Sequence, residues 1–168
     1  MKAYHVNEHR GNTHLVFATG DKQWLGEGYY FWQDYEFASE WTKNYDISDI
    51  YTVDLDLIFG NQQDDDIIDT VFNEIDYYKF VEKIEYFSEK YIKRFGRKPT
   101  LREFNNFIID NKVKLWKDIV AIRFQDLPTN DYLNYLKVKG FFYKKRIQIV
   151  VFDIEKIKKY AVETVKTK

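Results

Sequence analysis

The hydrophobic and polar positions switch period several times along the chain. Ala3 to Val6 reads as a short opening strand with His5 inside it. Leu15 to Ala18 is a brief apolar patch ended by Thr19-Gly20-Asp21. The stretch Trp24 to Trp41, W-L-G-E-G-Y-Y-F-W-Q-D-Y-E-F-A-S-E-W, predicts a tight turn, a short aromatic strand and a helix. Gly26 and Gly28 permit a close backbone approach there, and Phe37, Ala38 and Trp41 fall on one helical face. Ile50 to Phe59 alternates, with Val53, Leu55 and Leu57 on one side and Asp54 and Asp56 on the other. That is the period of a half-buried strand.

Beyond the polar connector from Gly60, Asp64, Asp65 and Asp66 read as a helix N-terminus, where carboxylates meet free N–H groups. The predicted helix carries Ile67, Ile68, Val71, Phe72 and Ile75, then Val81, Ile84, Phe87 and Tyr91. A break is expected near Asp76, and basic residues lead to a stop at Gly96. Thr100 and Glu103 form a capping-box pattern that opens a second helix to about Ile109. Ile119 to Phe124 alternates as a strand, and Thr129 to Gly140 reads as a loop or short helix. Ile147 to Ile154 is a nearly continuous β-branched run, expected at the centre of a sheet and interrupted only by Gln148. Lys156 to Val165 is expected as a closing helix or tail.

Composition narrows the class. The 168 residues suit one domain with a substantial core, and the pattern is α+β. Without Cys, disulfides and thiolate metal sites are excluded. Asp54 and Asp56 lack a third ligand at useful spacing, so no metal is expected. A net charge of −1 argues against a general nucleic-acid coat but leaves a local basic patch open. No apolar run reaches membrane length and the N-terminus is not a signal peptide, so a soluble cytoplasmic protein is expected.

The aromatic content of 19% matters because of where it falls. The pattern G-x-G-apolar-Y-F, with a small residue eight positions after the Tyr and an aromatic three further on, resembles the ADP-ribosyltransferase superfamily. It is most similar to the branch of poly-ADP-ribose polymerases and diphtheria toxin, whose signature is His–Tyr–Glu. The resemblance implies two packed, mostly antiparallel sheets split around an NAD cleft, with residues 64–112 as a helical insertion or a helical layer on the sheet. It implies that Tyr30 and Trp41 sandwich the nicotinamide, with Gly28 in the turn and Ala38 beside the amide. On the opening strand the family has His-Gly-Thr or His-Gly-Ser. Here it is His5-Val6-Asn7, with His5 placed to position a ribose and Val6 supplying the backbone groups of the missing Gly. His9 and His14 are rival positions.

On the late strand the family places a glutamate. Gln148 occupies that frame, and an amide accepts a hydrogen bond but is neither a base nor a full negative charge. Arg146, two residues earlier on the same face, is expected at a pyrophosphate or an acidic substrate. Asp131, Tyr132, Tyr135, Phe141 and Phe142 precede that strand, where toxins of the superfamily carry a recognition turn. The implied function is NAD-dependent mono-ADP-ribosyl transfer to a nucleic acid or protein, as in a bacterial or phage toxin or defence effector with an antitoxin or immunity partner. The alternatives are an RNA 2′-phosphotransferase-like or NAD-hydrolysing enzyme, or a catalytically dead module that keeps the NAD slot or serves as a protein-interaction surface. The catalytic candidates are therefore Gln148, Tyr30 and His5.

Overall fold

The computed structural model describes residues 1–20, 23–60, 66–126 and 145–167. Among the described residues, seven strands and four α-helices make an α+β arrangement. They are β1 (Lys2–Glu8), β2 (Tyr29–Trp32), α1 (Tyr35–Thr42), β3 (Ile47–Asp54), the single turn α2 (Asp56–Phe59), β4 (Ile67–Asp69), α3 (Glu74–Phe95), α4 (Leu101–Asp110), β5 (Ala121–Gln125), β6 (Ile147–Val151) and β7 (Tyr160–Lys166). The expected segment Thr129 to Gly140, with Asp131, Tyr132, Tyr135, Phe141 and Phe142 nearby, lies outside the described residues, as do Asp64 and Asp65.

The strands are hydrogen-bonded in the order β4-β5-β6-β2-β1-β3-β7, antiparallel except for the β4–β5 pair. The expectation of two packed sheets is corrected to one continuous ladder. That ladder is nearly cut in the middle, however. β1 and β2 share the single pair Tyr4↔Trp32, whereas β1 pairs with β3 along all seven of its residues from Lys2 to Glu8. Four strands therefore lie on one side of a narrow junction and three on the other.

Alternation on the central strand sorts the core. Ile147, Ile149 and Val151 of β6 join Phe31, Val53 and Leu55 on one face. Val150 joins Leu25, Ile122, Phe80 and Trp116 on the other, where α3 covers the sheet. Each fully buried aliphatic or aromatic side chain stabilises by about 1.5–3 kcal/mol, so the two faces hold the strands together where the ladder is thin. At the β4–β5 edge, Arg123 donates from Nε to Asp69 at 3.0 Å, with its guanidinium against the rings of Phe59 and Phe72.

Several boundaries differ from the sequence reading. The strand expected at 50–59 begins at Ile47 and ends at Asp54, and Asp56 to Phe59 coil into one helical turn. Asp54 and Asp56 are exposed. Ile67 to Asp69 is a strand and not the start of a helix, so residues 64–112 are not wholly helical. Helix α3 begins at the N-cap Asn73, whose side chain accepts from Ile75 and Asp76 N–H. Asp76 is no break: buried in the first turn, it accepts from Asp69 N–H at 3.0 Å and ties the helix to β4. The stop at Gly96, at φ +73°, and the Thr100–Glu103 capping box are both present. Residues 160–166 form an edge strand on β3 in place of the expected helix or tail.

Candidate functional site

Where β1 and β2 part, a cavity of about 520 Å³ opens between the two halves of the sheet. Its walls include His5 and Val6 from β1, Tyr30 and Trp32 from β2, Trp41 from α1, and Arg146 and Gln148 from β6 and its approach. Trp24, Asn7 and Asp126 also line it, with the charged Glu8 and Arg10. Six of the eight residues expected at the site thus meet at one cavity. Gly28 and Ala38 do not line it.

The local folding that produces this starts at the turn before β2. Gly26 takes φ +96°, a conformation other residues rarely adopt. The Tyr30 hydroxyl donates to Gly26 O at 2.6 Å and accepts from Leu25 N–H at 3.1 Å, which folds the turn back over β2. Burial keeps this phenol protonated well above its usual range, against a smaller opposing effect of the Leu25 N–H. The folded turn brings the Trp24 indole over β6, where its Nε1–H donates to Gln148 Oε1 at 2.7 Å. The Trp24 ring stands edge-on to Phe124.

Gly28 serves packing. A Cβ there would stand 2.5 Å from Val150 Cγ2 and 3.2 Å from Val151 O, so the glycine lets β2 start tight against β6. Ala38 is fully buried where α1 lies on the sheet.

His5 fills the junction itself. Its Nδ1 lies 2.7 Å from Tyr30 O, which can only accept, so Nδ1 carries the proton. Nε2 then accepts from Val16 N–H at 3.3 Å. Burial pushes its pKa down from the ordinary 6.5, with the Tyr30 and Asn7 contacts opposing. The ring does across the gap what a missing ladder bond would do. His9 sits elsewhere, 3.0 Å from the buried Asp49, and the His14 carbonyl accepts from Tyr51. Neither rival lines the cavity.

At the other end of the cavity, Arg146 is largely buried. Its side chain is 12% exposed, lies against the rings of Trp32 and Phe37, and pairs with Asp126 at 2.9 Å. Its Nε is buried without a hydrogen-bond partner, as is Asn7 Oδ1. Burial raises the Asp126 pKa, and the Arg146 charge partly offsets that rise. Trp41 is 46% exposed and packs beside Trp32, whose ring also meets Phe37.

The cavity thus offers aromatic faces for a flat ring, two guanidinium groups, Arg146 and the exposed Arg10, and two carboxylates, the half-buried Asp126 and the exposed Glu8. Trp24, Trp32, Asn7 and Asp126 are site residues that sequence reasoning did not select. Trp24 and Trp32 stood in the organising stretch but were read as its frame. Asp126 is reached only through the β5–β6 pairing, in which its N–H donates to Arg146 O. Among the described residues, no cluster of three potential metal ligands occurs. No family model matches the chain, and neither a curated protein nor a solved structure matches it.

Proposed function

We propose that the cavity binds NAD and that the protein is an NAD-dependent mono-ADP-ribosyltransferase acting on a macromolecule. The observation that carries this reading is convergence. His5, Val6, Tyr30, Trp41, Arg146 and Gln148, singled out from both ends of the chain for one reaction, line one cavity at the split in the sheet. Its volume falls within the range of about 300–1,000 Å³ usual for small-molecule sites.

In this reading Tyr30 and Trp41 stack the nicotinamide, and Arg146 holds the pyrophosphate. Tyr30 acts through its ring, because its hydroxyl is committed to the turn. Gln148 keeps Trp24 in the wall and turns its amide N–H groups to the sugar. As the glycosidic C–N bond breaks, nicotinamide leaves with the electron pair and positive charge grows on the ribose. Asp126 is the carboxylate placed to stabilise that charge and to take the proton of the attacking acceptor group.

A second reading, an NAD-binding module without turnover, is favoured by Gln148 standing where the resembling family has glutamate. Both readings require NAD binding. Calorimetry is expected to give a Kd between about 1 µM and 1 mM, or about −8 to −4 kcal/mol. Labelled NAD incubated with cell lysate and then digested with nuclease or protease separates transfer from binding and shows the acceptor. Absence of binding to both NAD and nicotinamide overturns the two readings together.

A further inference from the structure

We propose that the free end of the α3–α4 hairpin is a docking surface for the phosphodiester backbone of a single-stranded nucleic acid. Between Lys90 and Arg102 the chain carries six basic residues and no acidic one, in a protein whose net charge is −1. The first half of α3 packs on the sheet through Phe80, Val81 and Ile84. Its second half leaves the sheet and packs on α4, where Tyr91 meets Phe95 and Phe107. Lys93, Arg94 and Lys98 are exposed and make no ion pair with the described residues. Arg97 is tied to Glu103, which also closes the capping box.

Charge at a helix C-terminus is often only a complement to the helix dipole. Two further features distinguish this end. A groove of about 400 Å³ runs between the helices, with Tyr91, Phe95 and Phe107 as its aromatic side, Arg94 at its basic rim, and Asp110 and the Arg97-paired Glu103 on its α4 wall. Phe95 is 49% exposed and Leu101 51%, so apolar surface lies beside the cations. Cations that track phosphates beside rings that stack bases are what single-stranded nucleic acid requires.

The hairpin is also tied to the cleft. Asn105 of α4 donates to Gln23 O at 3.0 Å, and Gln23 lines the cavity. Leu101 lies four residues, about 6 Å, along the helix from that contact. The free end of the hairpin and the cavity are thus linked through α4. That a strand held on the hairpin is also the ADP-ribose acceptor rests on the reading above; its binding does not.

The test is fluorescence anisotropy of the full chain, without NAD, with labelled 20-nucleotide RNA and DNA, single-stranded and duplex. Single strands are expected to bind with a log–log salt slope of about −3, for about four neutralised phosphates. The double variant Lys93→Glu/Lys98→Glu should lose at least about tenfold in affinity. Phe95→Ala should lose about tenfold, the scale of one lost stacking contact. Lys158→Glu/Lys159→Glu makes the same charge change at exposed positions before β7 and should leave affinity unchanged.

Three outcomes overturn the proposal: no oligonucleotide binding, equal losses in the hairpin and control variants, or binding of polyglutamate in preference to the single strands. A chain that ignores NAD yet binds the strands refutes the cleft reading alone. A chain that binds NAD but no strand refutes the hairpin reading alone.

Discussion

Replacing Gln148 separates a cleft residue from a core residue. Its amide interrupts a strand whose neighbours Ile147, Ile149, Val150 and Val151 are all buried, and its Oε1 accepts the Trp24 indole N–H at 2.7 Å. Gln148→Ala removes that acceptor. An orphaned donor costs about 1–3 kcal/mol when sealed away from water. Here the side chain lines an open cavity, so water can replace the lost oxygen and the lower end applies, about 1 kcal/mol. For a chain of this size that lowers Tm by about 2–4 °C. The effect on turnover is expected to be far larger, about 10²-fold, because both the ribose contact and the Trp24 wall are disturbed.

Gln148→Glu keeps an acceptor for Trp24 and makes it charge-assisted, with the Arg146 guanidinium two residues away on the same face. It should melt within about 1 kcal/mol of wild type and release nicotinamide from NAD faster than wild type does. The measurements are thermal melts and nicotinamide release for all three proteins. If the Glu variant melts well below the Ala variant, the site is a sealed interior where a charge is costlier than a missing amide. That order, with no NAD turnover by wild type, refutes the assignment of Gln148 to the cleft chemistry.

Trp41→Ala should leave Tm nearly unchanged, because the ring is 46% exposed, while weakening NAD binding by about tenfold; equal affinity shows that Trp41 is not a stacking wall. Gly28→Ala should do the opposite, destabilising by about 1–3 kcal/mol through the clash with Val150 and leaving the Kd of the folded protein alone, as read by melts and calorimetry. His5 has a folded pKa below its unfolded value of 6.5, so the unfolded chain takes up the proton first as pH falls. Its contribution is present above 6.5 and is lost as pH drops towards the folded value, at up to about 1.4 kcal/mol per pH unit. His5→Gln, which can still donate to Tyr30 O and accept from Val16 N–H, should flatten that part of a melt-versus-pH curve; an unchanged slope assigns it to other groups.

The aromatic stretch and the late strand were readable because their signals are local. Gly26 and Gly28, the Tyr–Tyr–Phe–Trp run and the helical Trp41 each report a conformation set within a few residues. The β-branched run of β6 behaves the same way. The misread elements are those whose state depends on a distant partner. Ile67 to Asp69 has the same apolar content in a helix or a strand, and only its parallel pairing with Ala121 to Arg123 decides it. Tyr160 to Lys166 is mostly exposed and lysine-bearing, and it is a strand because Ile47 to Val53 offers an edge. Asp49 stands in the polar run Asp46-Ile47-Ser48-Asp49, yet it is fully buried between His9 and Thr164. Asp126 entered the site for the same reason, through a cross-strand neighbour some twenty residues away.

The hydrogen bonds of the cleft bear on what kind of site it is. Both His5 nitrogens, both roles of the Tyr30 hydroxyl and the Gln148 oxygen are bound within the protein. These are the three residues that the resemblance names as catalytic, and their polar atoms first hold the walls. Among the described lining residues, Asn7 Oδ1 and Arg146 Nε are buried without a partner, Asp126 pairs with Arg146, and Glu8 and Arg10 are exposed. A ligand here meets walls already locked in place, with the exposed Glu8 and Arg10 beside the Arg146–Asp126 pair as its charged contacts. Its affinity then comes chiefly from ring stacking and shape, and its orientation from Arg146 and Asp126. On the proposed reading the rings of Tyr30 and Trp41 serve binding, and the Asp126 carboxylate, paired with the Arg146 that lies against Trp32, serves bond-breaking. It follows that Asp126→Asn should depress turnover with little change in NAD affinity, while Trp41→Ala should do the reverse. If Asp126→Asn weakens binding as much as turnover, the two roles are not separate and the carboxylate's role is to orient Arg146.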